Sequence, residues 1–490
     1  MSIFKRITNY TKTRRGGATC FSAAVIGTGL LLCTSRAAWV VTPAVTPLPL
    51  NGTSVSDDGV GVTASLSQTK LVAGYGGEVY LKFGVSVPKI DESSAPAASD
   101  VVVVLDRSGS MSAAQKMPYA KAAIYRLISE LGPQDKFALV SFDSYARVDF
   151  ALAPMTDVNR RQVQRIVSSI RPGSSTNMSG GMEQAQSILR RYSTNNRRRV
   201  ILLSDGEANA GKTSPQALSQ IARDISGAGG VVSAIGMGLS FNEIVLSGIA
   251  DNGMGHYSFL EDVRGLQDIL AKDLMDSRSQ FAKSSMFEIT LPEGVTLMDA
   301  AGFPVHLKGG RRFAIETGQL IGGVERFITL SLNVPTRHEG EFNIGPVHFV
   351  YSRDGEQITL PVGESFALAV VSPEQRGEAI ASIDNELFKN TWAQNNLGRM
   401  RKDFNSYVRE GKKEEAQKAI ASYGQALRQA EEVSGVALMD TEISAELDQM
   451  KADLDDAFVG SPTAQQSKQS RLGKLMHLKS LSEQRLSTSK

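Results

Sequence analysis

Hydrophobic and polar positions change their rhythm along this chain, and each rhythm predicts a different kind of structure. Between residues 100 and 280, short apolar runs alternate with stretches of helical period. Val101-Val102-Val103-Val104-Leu105 and Val200-Ile201-Leu202-Leu203 are unbroken branched runs, as expected of strands buried on both faces. Further strands are predicted over 137–142, 147–150, 231–235 and 256–259, with 147–150 at an edge. Helices are predicted over 116–131, 157–170, 179–192, 215–225, 241–249 and 263–275, with Gly132-Pro133 and Pro172-Gly173 as stop signals. Such alternation implies an α/β fold, with a doubly wound, mostly parallel, Rossmann-like sheet over 100–280.

From 284 to 371 the period shortens to two. Strands are predicted over 287–291, 313–316, 326–332, 347–351, 357–360 and 366–371, with Gly309-Gly310 and Asp354-Gly355 where hairpin turns belong. They make a flanking β-sandwich-like domain. Alternating stretches at 62–67 and 78–83 precede the α/β region; if they join the same sandwich, the α/β domain is inserted between two parts of one β domain. The Pro-, Thr- and Ser-rich stretches 41–58 and 91–99 read as linkers, so 41–99 combines linker with N-terminal strands.

After Ser372-Pro373-Glu374 the period becomes helical, giving a C-terminal helical region over 372–459. Ala416, Ile420, Tyr423 and Leu427, then Ile443, Leu447, Met450, Leu454 and Phe458, form stripes at spacings of three and four, suited to packing helices on each other. Residues 460–490 are Ser/Gln-rich and mildly basic, and are expected to be a flexible tail with a short amphipathic piece at 475–481.

The N-terminus adds a location. Lys5, Arg6, Lys12, Arg14 and Arg15 precede an apolar run over 18–33, followed by small residues through Ala37-Ala38. Residues 1–40 therefore read as a secretory signal peptide, with Ser35-x-Ala37 as a cleavage site, or as a membrane anchor. Either places the remainder outside the cytoplasm, as a secreted, periplasmic or cell-surface protein. An uncleaved segment would add membrane association. Cys20 and Cys33 both lie in this segment, so the rest of the chain has neither a disulfide framework nor a thiol catalyst. A net charge of +2 over 490 residues gives no reason to expect nucleic acid as a partner.

Candidate chemistry gathers at the ends of the two buried strands. Asp106, Ser108 and Ser110 are spaced two apart on the loop after the first, and Asp205 ends the second. Thr176 lies on a loop just before the helix at 179. In open α/β sheets, sites form outside the carboxyl ends of the strands. If the two strands are neighbours, these five residues bring hydroxyl and carboxylate oxygens together, and hard cations prefer oxygen ligands. With only two formal negative charges, the cluster would leave a divalent ion under-neutralised and attractive to a carboxylate from another molecule.

Asp106-Arg107-Ser108-Gly109-Ser110-Met111, Thr176-Asn177 and Leu203-Ser204-Asp205-Gly206 together resemble the von Willebrand factor type A (VWA) domain, integrin I domains included. The flanks are similar, more loosely, to bacterial extracytoplasmic VWA proteins. The resemblance implies a metal-ion-dependent adhesion site in which Ser108, Ser110 and Thr176 contact the metal, and Asp106 and Asp205 act directly or through water. It implies a divalent cation, Mg²⁺ first with Mn²⁺ or Ca²⁺ as alternatives, and a protein partner that offers Asp or Glu to the ion in adhesion or complex assembly.

Two other readings compete. In one, the site only stabilises a structural scaffold. In the other, Gly206-Glu207-Ala208-Asn209-Ala210-Gly211-Lys212-Thr213, which fits Gly-x-x-x-x-Gly-Lys-Thr, holds a nucleotide phosphate. Against the latter, its motifs stand in reversed order, Pro215 falls in the first turn of the helix, and Ser108, Ser110 and Thr176 go unused. His256, His306, His338, His348 and His477 are scattered without zinc spacing, and no Gly-x-Ser-x-Gly elbow occurs. The expectation is a binding protein, not an enzyme.

Overall fold

The computed structural model of the protein describes residues 51–90, 98–192, 196–260, 265–484 and 487–489. The expected signal or anchor at 1–40, and parts of both linkers, lie outside the described residues. Among those described, no helix is long and apolar enough to cross a membrane.

Ser99–Asp106 is buried along its whole length. Its side chains alternate between two cores, which explains why both parities are apolar. Val101, Val103 and Leu105 face the helices Lys116–Glu130, Asp157–Ser169 and Leu266–Arg278. Val102 and Val104 face Met178–Arg191, Pro215–Gly227 and Glu243–Asn252. The sheet runs in the order Met254–Leu260, Gly230–Met237, Arg197–Ser204, Ser99–Asp106, Lys136–Phe142, Ala146–Pro154. All pairings are parallel except the last, where Lys136–Phe142 turns back antiparallel onto the edge strand. The doubly wound, mostly parallel α/β sheet is therefore present. The chain leaves Ser99–Asp106 toward Lys136–Phe142 and later returns to its other side as Arg197–Ser204. That reversal is the switch point at which α/β sheets bind ligands.

The β-rich part is a sandwich built from both sides of the α/β domain in the sequence. Glu78–Ser86 pairs antiparallel with Val324–Asn333 and, on its other edge, with Gly61–Leu66. The facing sheet contains Ser284–Thr290, flanked by Arg312–Glu316 and Val347–Arg353. Leu81, Phe83, Ile328 and Leu330 of one sheet meet Phe287, Ile289, Ile315 and Phe349 of the other in one core. The α/β domain is thus inserted into the sandwich.

Two expectations are corrected. Within the stretch read as linker, Asn51–Val55 forms an edge strand on Gly61–Leu66. Its polar residues resemble a linker because an edge strand has less to bury. The larger correction concerns 460–490. Pro462–Gln484 is one continuous helix, not a flexible tail. Ser461 starts it by accepting a hydrogen bond from the Ala464 N–H, and Pro462 suits its first turn. Leu472 and Met476, one turn apart, are buried in the same core as Ile420, Tyr423, Leu447 and Leu454. Tertiary packing supplies the stability that the polar first turns lack.

Candidate metal centre

Register brings the two strand ends together. Leu105 lies opposite Leu203, so Asp106 is level with Ser204, and Asp205 follows directly at the carboxyl edge of the sheet. A chain of hydrogen bonds then links most of the expected site. The Ser108 N–H donates to Asp106 Oδ1 at 2.7 Å, and Ser204 Oγ donates to Asp106 Oδ2 at 2.6 Å. The hydroxyls of Ser108 and Ser110 lie 3.1 Å apart, and Ser110 Oγ donates to Asp205 Oδ1 at 2.8 Å. Asp106, Ser108, Thr176 and Asp205 are buried, whereas Ser110 is exposed and opens the cluster to solvent.

Thr176 arrives from a separate loop, fixed at several points. The Gly109 N–H donates to the Ser174 carbonyl at 3.0 Å, which ties that loop to the Asp-x-Ser-x-Ser turn. The Thr176 N–H donates to Asn209 Oδ1 at 2.7 Å, and the Asn209 N–H returns a bond to the Thr176 carbonyl at 3.1 Å. Asn177 then caps Met178–Arg191 by accepting from the Gly180 N–H at 3.0 Å. Gly206 completes the arrangement. A Cβ there would sit 3.4 Å from Thr176 Oγ1 and 3.6 Å from Ser110 Oγ. The missing methyl leaves a cradle where those two hydroxyls converge beside Asp205.

The cradle fits a small hard cation, because the five expected side chains offer it only oxygen atoms as ligands. Electrostatics point the same way. Burial pushes the Asp106 carboxyl up to about 6, and the nearby Asp205 charge adds to this, although bonds from Ser108 and Ser204 oppose it. A positive charge in the cradle would relieve that cost. Among the described residues no group of three or more His, Cys, Asp or Glu is placed to hold a metal, so hydroxyls would have to supply much of the coordination.

Several contributors were not visible in the sequence. Ser204 orients Asp106, and Asn209 braces Thr176. Lys116 is the least expected: its buried ammonium donates to Asp205 Oδ2 at 2.6 Å. The rival phosphate loop is committed elsewhere. The N–H groups of Asn209 and Ala210 bond the Thr176 carbonyl, that of Lys212 bonds Ser179 Oγ, and the Lys212 ammonium pairs with Glu183 at the surface at 2.9 Å. Those N–H groups are spent on bracing Thr176 and its helix, not free to cradle a phosphate.

Comparison with known proteins locates the α/β domain in a family. The family model for the von Willebrand factor type A domain matches residues 100–272. YfbK of Escherichia coli K12, described as uncharacterized, is 27% identical over 209 residues, covering 42% of this chain and 36% of YfbK. Human inter-alpha-trypsin inhibitor heavy chain H4 is 27% identical over 189 residues, covering 36% of this chain and 20% of the heavy chain. The matches thus span about a third of YfbK and a fifth of the heavy chain. Among solved structures, a von Willebrand factor type A protein from Catenulispora acidiphila superposes with a TM-score of 0.63 over 88% of this chain and 97% of that one, at 18% identity. The fold therefore has a counterpart that extends through the flanking β and helical parts. Residues 100–272 of this chain form a von Willebrand factor type A domain, a type common in adhesion and protein-interaction roles.

Proposed function

We propose that this protein binds a divalent cation, Mg²⁺ first, and through it an acidic side chain of a protein partner outside the cytoplasm. Ser108, Ser110 and Thr176 would hold the ion, with Asp106 and Asp205 acting directly or through water. The observation that carries this reading is the convergence of Ser110 Oγ and Thr176 Oγ1 at the open face of Gly206, beside a carboxylate. An ion held largely by hydroxyls keeps surplus positive charge, and its remaining positions suit an anionic ligand. The role assigned to the ion is binding, not catalysis. Tyr145, 81% exposed on the hairpin beside the Thr176 loop, offers a partner an aromatic contact. Export rests on the basic, apolar, then small-residue order of 1–38.

Calorimetric titration of the full chain with Mg²⁺ tests the site. The expected result is saturable binding that is lost in Asp106→Ala and kept in Lys212→Ala. A folded wild type that binds neither Mg²⁺ nor Mn²⁺ would sink the reading. Capture of partners from an extracellular fraction, with and without EDTA, separates adhesion from scaffolding. A stabilising metal alone predicts that Asp106→Ala lowers the melting temperature without selectively abolishing capture. N-terminal sequencing of the mature protein distinguishes cleavage after Ala37 from an anchor that is retained.

A further inference from the structure

We propose that Lys116 is a built-in counter-cation of the oxygen cluster: it neutralises Asp205 in the metal-free protein and weakens the site's hold on a divalent ion. The proposal rests on the reading of the cluster as a cation site. Lys116 Nζ donates to Asp205 Oδ2 at 2.6 Å, with the lysine 8% and the aspartate 0% exposed at their side chains. Asp205 Oδ1 is engaged separately by Ser110 Oγ at 2.8 Å. The lysine therefore occupies one carboxylate oxygen and leaves the other on the side of the hydroxyls.

Three features place this ammonium against ordinary preference. Lys116 opens the helix Lys116–Glu130, and a helix N-terminus disfavours a cation. Ala114 and Gln115 just before it have φ of +50° and +59°, the left-handed region that side-chain-bearing residues rarely adopt. Gly238, at the end of Gly230–Met237 with φ +74°, makes the room: a Cβ there would approach Lys116 Cε to 2.9 Å and Nζ to 3.2 Å. Simple packing at this position would be met by an apolar residue on a relaxed backbone. The strain is instead spent on delivering one positive charge to one carboxylate.

The consequence is electrostatic. Two carboxylates, Asp106 and Asp205, and one ammonium leave the cluster with a single net negative charge. An arriving divalent ion is attracted less than by two bare carboxylates. Once bound, it keeps more of its own charge for the ligand that completes its shell. Lys116 thus lowers intrinsic metal affinity and raises the demand for an anionic partner. In the absence of the ion, it keeps Asp205 from being a buried, uncompensated charge.

The test is titration of full-length wild type, Lys116→Gln and Lys116→Met with MgCl₂ and MnCl₂, together with melting in EDTA. Glutamine retains a donor for Asp205 without the charge, so one variant stays folded even where methionine fails. The expected result is metal binding tighter by about tenfold or more in a folded variant, joined to a lower melting temperature in EDTA. A lysine that merely positions Asp205 predicts weaker binding on its removal, so equal or weaker affinity in the variants, with the wild type binding, overturns the proposal. Binding by the variants alone supports it, with the lysine meeting the cluster's charge by itself. Failure of all three to bind overturns the cation-site reading and this inference together.

Discussion

Gly206 shows how much a single missing methyl can decide. Its neighbours Asp205 and Ser204 are both hydrogen-bonded, while its own open face looks onto Ser110 Oγ and Thr176 Oγ1. Gly206→Ala would put a carbon where the two hydroxyls meet, within ordinary contact distance of both and without backbone strain. Mg²⁺ affinity measured by calorimetry is expected to fall by about tenfold or more, equivalent to about 1.4 kcal/mol. The melting temperature in EDTA is expected to move by no more than corresponds to about 1 kcal/mol. An unchanged affinity would mean that these hydroxyls do not face the ion. The expected residues were legible because their spacing and their places, at strand ends for four of them and just before a helix for Thr176, are local features. Lys116, Gly206 and Gly238 were not. A lysine at the start of an amphipathic helix looks like any solvated lysine, and a glycine after a strand looks like any turn. Their roles arise only when loops far apart in sequence close on one another.

The helix Pro462–Gln484 teaches the same lesson one level up. Between Ser461 and Ser470 its sole apolar residue is Ala464, so the sequence there gave no stripe to follow. Besides the apolar packing of Leu472 and Met476, a buried ionic junction ties it to the α/β domain. Lys474 Nζ donates to the Phe241 carbonyl at 2.7 Å and to Glu243 Oε2 at 3.2 Å, and Arg409 reaches Glu243 Oε1 at 3.1 Å. Ser470 Oγ adds a bond to the Leu239 carbonyl at 2.8 Å. Lys474→Met leaves buried Glu243 with only the partly exposed Arg409 as a counter-charge, so it is expected to cost up to about 3 kcal/mol in urea unfolding. Burial alone would push the Glu243 carboxyl up, but Lys474 and Arg409 outweigh it and hold the group below the usual glutamate range. A depressed carboxyl contributes stability above its unfolded value of about 4.3 and loses it as pH falls through the folded value. The protection factors of the amides over 462–484, taken against the intrinsic exchange rate at each pH, should therefore fall on acidification below about pH 4.3, and Glu243→Gln should flatten that dependence. A helix whose protection ignores both pH and Glu243 would show that apolar packing alone docks it. By contrast, the stripes at 416–427 and 443–454 carried their periodicity openly and pack as expected.

At the scale of the whole molecule, three parts share walls but keep separate cores. The α/β sheet has one apolar core on each face, both filled from within residues 100–280 apart from Leu478 at one margin. The sandwich is closed by Glu78–Ser86 lying along Val324–Asn333, a pairing that reaches across the inserted domain. The helical part leans on this sheet through Tyr80, whose ring meets Phe388 edge-on at 6.0 Å and whose hydroxyl accepts from Asn396 at 3.0 Å. It reaches the α/β domain through Glu243. Insertion was foreseeable from the period-two stretches on both sides of the α/β region, but pairing partners were not, since alternation fixes which face is buried and not which strand lies alongside. This layout separates stability from binding. Phe83 is fully buried and stacks on Phe287 at 4.1 Å between the two sheets. Phe83→Ala should remove that contact and leave a cavity, at a cost of about 3–5 kcal/mol in urea unfolding. No residue of the oxygen cluster belongs to that core, and the strands that carry Asp106 and Asp205 pair only within their own sheet. Below its unfolding transition, the variant is therefore expected to bind Mg²⁺ within about twofold of wild type, since distant independent sites behave additively. A parallel loss of affinity would mean that the sandwich helps set the geometry of the switch point, and the inserted domain would then have to be treated as one mechanical unit with its frame.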